Sequence, residues 1–472
     1  MTANSARFDR RTWCRLLVLS AAILFEGMSL SSINVQLAGI QRAFKLPPDL
    51  LQLVASSFLT AYAGLLLVGG KCADRWGHRR MFLIGVGTFV VGSLGAALSS
   101  EVITLITARV VQGAGAAITA PAAVALIACG FPEGAARNRA FGVYSAMGAA
   151  GFSLGVVSAG LLTQGAGWRS AFLLYVPVGL VVLAIGVRVL DGETNARKSQ
   201  GQIPWLPALL ITSGLVAVVW AVGRVGTSSL AEISVVGGVG LMATVAFYAT
   251  QARQVVPLLP PSLLANRRMT AACLALGGAF AGVTGATLLV ATDLQDHQRY
   301  SALTAGLAFL PQGLAVCIFS APAARMANRR PASRLLIMGL AVIVIGQFLY
   351  TSAERGGYAV HLLPAALLVG TGIAVTYPAA VMLASAAAAV DDLGTASGFL
   401  TMCQQAGGAL GVASVAGIQS IAPGDFWARP YSLWGCFGFT AVALLGCTVL
   451  ISLRPAMRTQ GTEVNAVGTP AL

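Results

Sequence analysis

The chain has 472 residues, of which 57% are hydrophobic and only 10% charged, and its formal net charge is +14. Soluble domains carry about 25% charged residues, so a water-soluble fold cannot hide this much apolar surface, and the solvent for most of the chain is lipid. The positive charge does not read as a nucleic-acid patch, because the Lys and Arg lie in short segments between apolar stretches.

A spanning helix needs about 20 mostly apolar residues. Fourteen such stretches are predicted, at 14–36, 51–70, 81–99, 103–130, 139–164, 170–190, 203–223, 232–251, 271–292, 303–323, 334–352, 360–381, 396–419 and 432–453. The predicted fold class is an all-α polytopic membrane protein. The first stretch follows Arg7, Arg10, Arg11 and Arg15 and is too long for a signal-peptide core. It reads as an uncleaved first span.

With the N-terminus in the cytoplasm, 22 of the 30 Lys and Arg fall in the N-terminal segment, the even-numbered loops and the C-terminal tail. Only Arg42, Lys45, Arg169, Arg224, Arg299, Arg355 and Arg429 fall outside, and Arg109 lies within a span. This bias predicts that both termini are cytoplasmic. Eight cysteines stand singly without a CxxC pair and read as buried free thiols. His78, His297 and His361 are far apart and show no metal-ligand spacing. No metal, cofactor or catalytic constellation is expected.

In "AAILFEGMSLSSIN" (21–34), Glu26 interrupts an apolar run and is the one acidic residue placed clearly within a span. Desolvation favours the neutral form of a carboxyl, while a nearby cation or access to water favours the charged form. A pore that opens to each face in turn can therefore change such a group's protonation. It can also bind a cationic substrate, or simply sit near the outer interface held by water and Ser29 or Ser32. Arg109 is the one Lys or Arg well inside a span. Its insertion costs roughly 2.5–3.5 kcal/mol, so it is expected to face the bundle interior with a partner. Gln112 lies one turn on, and Gly113 and Ala117 allow another helix to approach closely.

Two basic loops suggest a repeat. "KCADRWGHRRMFLIG" (71–85) and "RMANRRPASRLLIMG" (325–339) align at a constant offset of 254, pairing Lys71 with Arg325, Asp74 with Asn328, Arg75 with Arg329, Arg80 with Arg334 and Gly85 with Gly339. Repeated halves are a common plan of secondary transporters, with substrate held near the midplane between them. The expected organisation is a six-helix bundle in 1–199, a two-helix insert in 200–255, a second six-helix bundle in 256–453 and a disordered tail in 454–472. The polar link "DGETNARKSQGQ" (191–202) reads as a flexible connector.

Further motifs carry a resemblance. "GKCADRWGHRR" (70–80), "RVVQGAGAA" (109–117), "WRSAFLLYVPVG" (168–179), "YSALTAGLAFLP" (300–311) and "GTASGFLTMCQQAGGALGVA" (394–413) resemble stretches of the major facilitator superfamily, and more narrowly its fourteen-span drug:proton antiporters. The resemblance implies the major facilitator fold and efflux of drugs or antibiotics from a bacterial cytoplasmic membrane in exchange for protons, with no ATP. The fifth-span antiporter motif departs from the pattern. "GAAGFSLGVVSAG" (148–160) lacks its proline, and Ser29 stands where a first-span aspartate is common. Uptake of a nutrient by symport or uniport stays open.

The resemblance also implies a cytoplasmic latch built from Gly70, Asp74, Arg75, Gly77, Arg79 and Arg80. Gly70 and Gly77 would permit the turn and close helix approach. Asp74 would pair with Arg75 or Arg79, or face a helix N-terminus of the other half. The GxxxG pairs Gly151/Gly155 and Gly407/Gly411 read as close-packing seams on which the halves rock. Asn34, Tyr62, Tyr144, Gln312, Tyr377, Gln404 and Gln405 are candidate cavity residues, each able to serve instead as a helix–helix hydrogen-bonding group. "GFSLG" (151–155) matches a nucleophile elbow by spelling but sits mid-span without acid and histidine partners, and "GLLLVGGK" (64–71) misses the phosphate-loop spacing. The expected partners are lipid, protons and a small-molecule substrate.

Overall fold

The computed structural model describes residues 8–132, 134–190, 204–254, 257–296, 298–327, 330–351, 357–389, 392–421 and 428–452. The connector 191–202, His297, Asn328, Arg329 and the tail 454–472 lie outside the described residues. Among those residues there is no β-strand. In chain order the helices are α1 (Arg10–Phe44), α2 (Pro48–Trp76), α3 (His78–Ala97), α4 (Val102–Gly130), α5 (Ala135–Ala166), α6 (Trp168–Leu173), α7 (Tyr175–Val189), α8 (Trp205–Gly223), α9 (Leu230–Gln251), the short α10 (Pro261–Leu264), α11 (Arg267–Asp296), α12 (Ala302–Ala327), α13 (Ala332–Thr351), α14 (Leu363–Ala387), α15 (Leu393–Ile421) and α16 (Ala428–Ser452).

Local chemistry sets the helix ends, and several helices outrun the apolar stretch that announces them. Asp9 caps α1 by accepting from the Thr12 amide at 3.0 Å, and the Thr12 hydroxyl together with this amide holds its carboxyl below the ordinary carboxylate range. At the other end Lys45 turns left-handed (φ 53°) and donates its amide to the Gln41 carbonyl. α1 is therefore 35 residues long, against the 14–36 read from hydropathy. Gly77, at φ 92°, breaks the chain between α2 and α3, where a β-carbon would be strained.

Two predicted spans are interrupted. The stretch 170–190 divides at Leu174, because Pro177 has no amide to donate to the Leu173 carbonyl. The stretch 360–381 opens with a π-helical turn, Gly357–Leu362, ahead of Pro364 near the start of α14. Among the described residues thirteen helices are long and apolar enough to cross a membrane, α6 and α7 counting together. α15 supplies the fourteenth predicted span. It has 29 residues, and its Ser, Thr, Gly and paired Gln404 and Gln405 dilute its hydropathy.

The 254-residue offset extends from the loops to the helices. It carries α3 (78–97) onto α13 (332–351) end to end, and the start of α2 at 48 onto the start of α12 at 302. Packing repeats as well: α1 packs on α5, α2 on α4 and α3 on α4, while α11 packs on α15, α12 on α14 and α13 on α14. Contacts between the two sets run through α2 with α15, α5 with α12 and α1 with α11. α8 packs on both α2 and α15, and α9 packs on α8. Successive spans alternate in direction, so the start of α1 and the end of α16 share one face, the terminal face. The other is the opposite face.

Candidate functional site

Glu26 lies midway along α1, with 7% of its surface exposed. Tyr62 of α2 donates its hydroxyl to Oε2 of this carboxyl at 2.6 Å, while Oε1 is buried without a hydrogen-bond partner. Tyr144 of α5 and Tyr377 of α14 lie within electrostatic reach of the same carboxyl and of each other. The carboxyl thus bonds α2 and feels the phenols of α5 and of α14, the last from the second repeat. Ser29 and Ser32 do not hold it, contrary to one of the readings of the sequence. They bond Arg109 and Tyr175 instead.

Arg109 of α4 is 1% exposed, and its charge is met by dipoles and rings rather than by an acid. Nη1 donates to Ser29 Oγ at 2.7 Å and to Gln112 Oε1 at 3.1 Å. Gln112 in turn donates to Ser93 Oγ at 2.8 Å. The guanidinium lies 4.7 Å from the Phe58 ring centroid and 5.9 Å from that of Phe172, both within cation–π range. Nε is buried and unbonded. Phe58 and Tyr62 are one turn apart on α2, and Ser29 and Glu26 nearly one turn apart on α1. The two helices therefore present two adjacent rungs, Tyr62 with Glu26 and Phe58 with the Ser29–Arg109 pair. Glu26 and Arg109 share this wall without bonding each other.

The remaining candidates are dispersed. Gln312 accepts from Tyr350 Oη at 3.4 Å, a bond between α12 and α13. Gln405 is 3% exposed with Oε1 unbonded, Gln404 is half-buried, and Asn34 is buried on α1. None of them borders the cavity of about 150 Å³ at the opposite face, which Gln41, Gln52, Asp293, Asp296 and Gln419 line with their apolar neighbours. Asp293 is a second buried carboxyl, at the end of α11. α11 stays helical through Asp296, beyond the apolar stretch 271–292, and Asp293 is 9% exposed with an oxygen accepting from Gln298 at 3.0 Å.

The glycines need three corrections. Gly70 sits inside α2 with nothing closer than Pro121 at 3.8 Å to an added β-carbon; Gly69 beside it makes the close approach, against the Ala117 carbonyl of α4. A β-carbon on Gly151 would lie 2.6 Å from the Leu24 carbonyl and one on Gly155 would lie 2.5 Å from that of Met28, so this pair packs α5 on α1 of its own repeat. Gly407 and Gly411 press on Gly277 and Ala281 of α11, likewise within one repeat. Contacts between the repeats come from other positions: Gly160 against Ala302 and Leu303, Gly306 against the Val156 carbonyl, and Gly313 against Ser153. Gly113 faces the Phe58 carbonyl of α2 at 2.5 Å from an added β-carbon.

At the terminal face, Asp74 Oδ1 meets His78 Nε2 at 3.2 Å, and Arg79 donates to the Val187 carbonyl of α7 at 2.8 Å. Arg75 is half-buried and Arg80 exposed. These bonds tie α2, α3 and α7 of a single repeat. Reading the sequence missed Ser93 and Tyr175, and in one reading assigned Ser29 to Glu26 rather than to Arg109. The available signal is the spacing of Ser29 and Ser32 after Glu26 on one side of α1.

Residues 19–412 match the family model of the Major Facilitator Superfamily. The chain is 35% identical over 413 residues to the puromycin resistance protein of Streptomyces alboniger, covering 86% of this chain and 81% of that one. It is 33% identical over 467 residues to the cephamycin export protein of Amycolatopsis lactamdurans, covering 97% and 95%. The crystal structure of a D-xylose-proton symporter superposes with a TM-score of 0.65 over 94% of this chain and 98% of that one, and at 15% identity this likeness speaks for the fold alone. With its all-helical repeated halves and this match along most of its length, the chain belongs to the Major Facilitator Superfamily.

Proposed function

We infer that the chain is a secondary active exporter of small lipophilic or cationic compounds, drugs or antibiotics among them, that works by proton antiport with alternating access. The observation that carries this reading is the Glu26 carboxyl, buried with one donor on Oε2 and none on Oε1. A buried carboxylate needs compensating donors or a cation. Oε1 is therefore the place for a proton or for the positive group of a substrate, and exchange of one for the other couples the two fluxes. Tyr144 and Tyr377, one from each repeat, lie within electrostatic reach of the same carboxyl, so movement of the repeats would alter its surroundings. The two relatives whose names print resistance to puromycin and export of cephamycin support the outward direction.

On this reading the functional units are the bundles 1–199 and 256–453, the insert 200–255 and the tail 454–472, set in a bacterial cytoplasmic membrane with both termini inside. Arg109 holds the Ser29 side of α1 in place beside Glu26. The loop from Gly70 to Arg80 latches the terminal face, and Asn34, Gln312, Gln404 and Gln405 contribute to the substrate path. The gradient across the membrane drives the cycle, at about 2.3 kcal/mol per charge per 100 mV, and no enzymatic step is assigned. The test is ethidium efflux from cells expressing wild type or Glu26→Gln, with a protonophore control. Protonophore-sensitive efflux lost in the variant at equal expression supports the reading, and equal efflux by both removes Glu26 from it.

A further inference from the structure

The insert helix α8 lies across the seam where α2 of one repeat meets α15 of the other. Toward α2 it is fastened at two levels. Thr212 Oγ1 donates to the Gly64 carbonyl at 2.7 Å, and a β-carbon on Gly64 would stand 3.3 Å from that of Thr212. About three turns further on, Gly223 packs against the Gln52 amide, where a β-carbon would lie 2.5 Å from Oε1.

Toward α15 the close contacts lie at the end of α8 and in the turn after it. A β-carbon on Gly417 would meet the Val222 carbonyl at 2.5 Å and Val225 Cβ at 3.3 Å. Gly226, held at φ 93°, presses on Ser420 and on the Ile421 amide, which would be 2.7 Å from its β-carbon. These are packing contacts of backbone and aliphatic side chains, whereas the α2 side adds a hydrogen bond within the membrane, where a freed polar group finds no water. The cavity at the opposite face lies beside this seam, bordered by Gln52 of α2 and by Val415, Ala416 and Gln419 of α15.

We propose that α8 is a strap that travels with α2 and releases α15 at Gly417 and Ile421 each time the repeats part at the opposite face. It closes the α2–α15 seam beside the cavity when that face is shut. The inference rests on the alternating-access reading. It gives the two additional spans a task, limiting the rocking of the bundles they join.

Two cysteine pairs test it in a chain whose eight native cysteines are replaced. Val225→Cys with Gly417→Cys, and Gly64→Cys with Thr212→Cys, each place β-carbons 3.3 Å apart, close to the ~3.5–4.5 Å of disulfides. Oxidation of the 225/417 pair is expected to lower gradient-driven ethidium efflux about tenfold or more, with recovery on reduction, while oxidation of the 64/212 pair leaves it within about twofold. Full transport by the cross-linked 225/417 protein, or equal loss from both pairs, overturns the strap.

Because a side chain at Gly417 also meets a carbonyl, Ser420→Cys offers a readout that leaves the glycines intact. Its labelling by a membrane-impermeant maleimide in proteoliposomes should rise several-fold when a pH gradient is imposed. An unchanged labelling rate overturns the proposal. Failure of the exporter reading shows itself differently, since the reduced proteins would then move no ethidium while the labelling still reports whether α8 and α15 part.

Discussion

Tyr62 of α2 donates a 2.6 Å hydrogen bond to Glu26 of α1, among the described residues the one hydrogen bond to a carboxyl whose second oxygen is buried without a partner there. A hydrogen bond to a charged group contributes about 1.5–3 kcal/mol, roughly ten- to a hundredfold in an equilibrium. Tyr62→Phe keeps the ring and removes only the donor. It should cut initial efflux rates about tenfold at equal expression while the protein stays folded. A rate within about twofold of wild type would show that this bond does not position the carboxyl.

Arg109 bonds Ser29 and Gln112 from one nitrogen and lies against the Phe58 ring. Lysine retains the charge but not the planar fork that makes two directed bonds and stacks on a ring. Arg109→Lys should therefore express at near-normal levels yet transport at least about tenfold more slowly. Arg109→Met strands the Gln112 and Ser29 acceptors, at about 1–3 kcal/mol for each buried group left unsatisfied. Its Tm in detergent should fall well below that of Arg109→Lys, and equal Tm values would contradict this hydrogen-bond frame.

The glycine contacts separate packing within a repeat from packing between repeats. A side chain on Gly155 meets the Met28 backbone, whereas one on Gly87 has nothing within 4 Å. Gly155→Val should destabilise the fold by about 1–3 kcal/mol through overpacking. Gly87→Ala should raise stability by roughly 0.5–1 kcal/mol. Thermal unfolding of the purified proteins checks both signs.

The charge bias of the loops predicts which face is cytoplasmic. In a chain without native cysteines, Thr227→Cys in the α8–α9 turn should react with an impermeant maleimide on intact cells. Ser452→Cys at the end of α16 should react only after the membrane is opened. The reverse pattern would invert the topology and place the Gly70–Arg80 loop outside.

The spans were legible because lipid demands long apolar runs, and Glu26 and Arg109 stood out as lone charges within such runs. Their partners were not legible. Whether Glu26 faces Tyr62 or Arg109 depends on the rotation of α1 against α2 and α4, and hydropathy carries no record of that rotation. The same blindness affects the glycines. Gly69 and Gly70 are equivalent in spelling, yet only Gly69 presses on the α4 backbone, and the two GxxxG pairs hold each repeat together rather than joining the repeats. Burial of Asp293 was not legible because helix and apolar stretch do not end together: α11 continues to Asp296 after its hydropathy has fallen. The Ser29–Arg109–Gln112–Ser93 chain joins three helices through residues that, taken singly, look like ordinary polar points in a membrane helix.

The most direct measurement is proton movement coupled to substrate in proteoliposomes, followed with a pH-sensitive dye while ethidium is supplied to one side. Wild type should move protons opposite to ethidium, and Glu26→Gln should release no protons and sustain no gradient-driven transport. Proton flux in Glu26→Gln equal to that of wild type would contradict the assignment of coupling to this carboxyl.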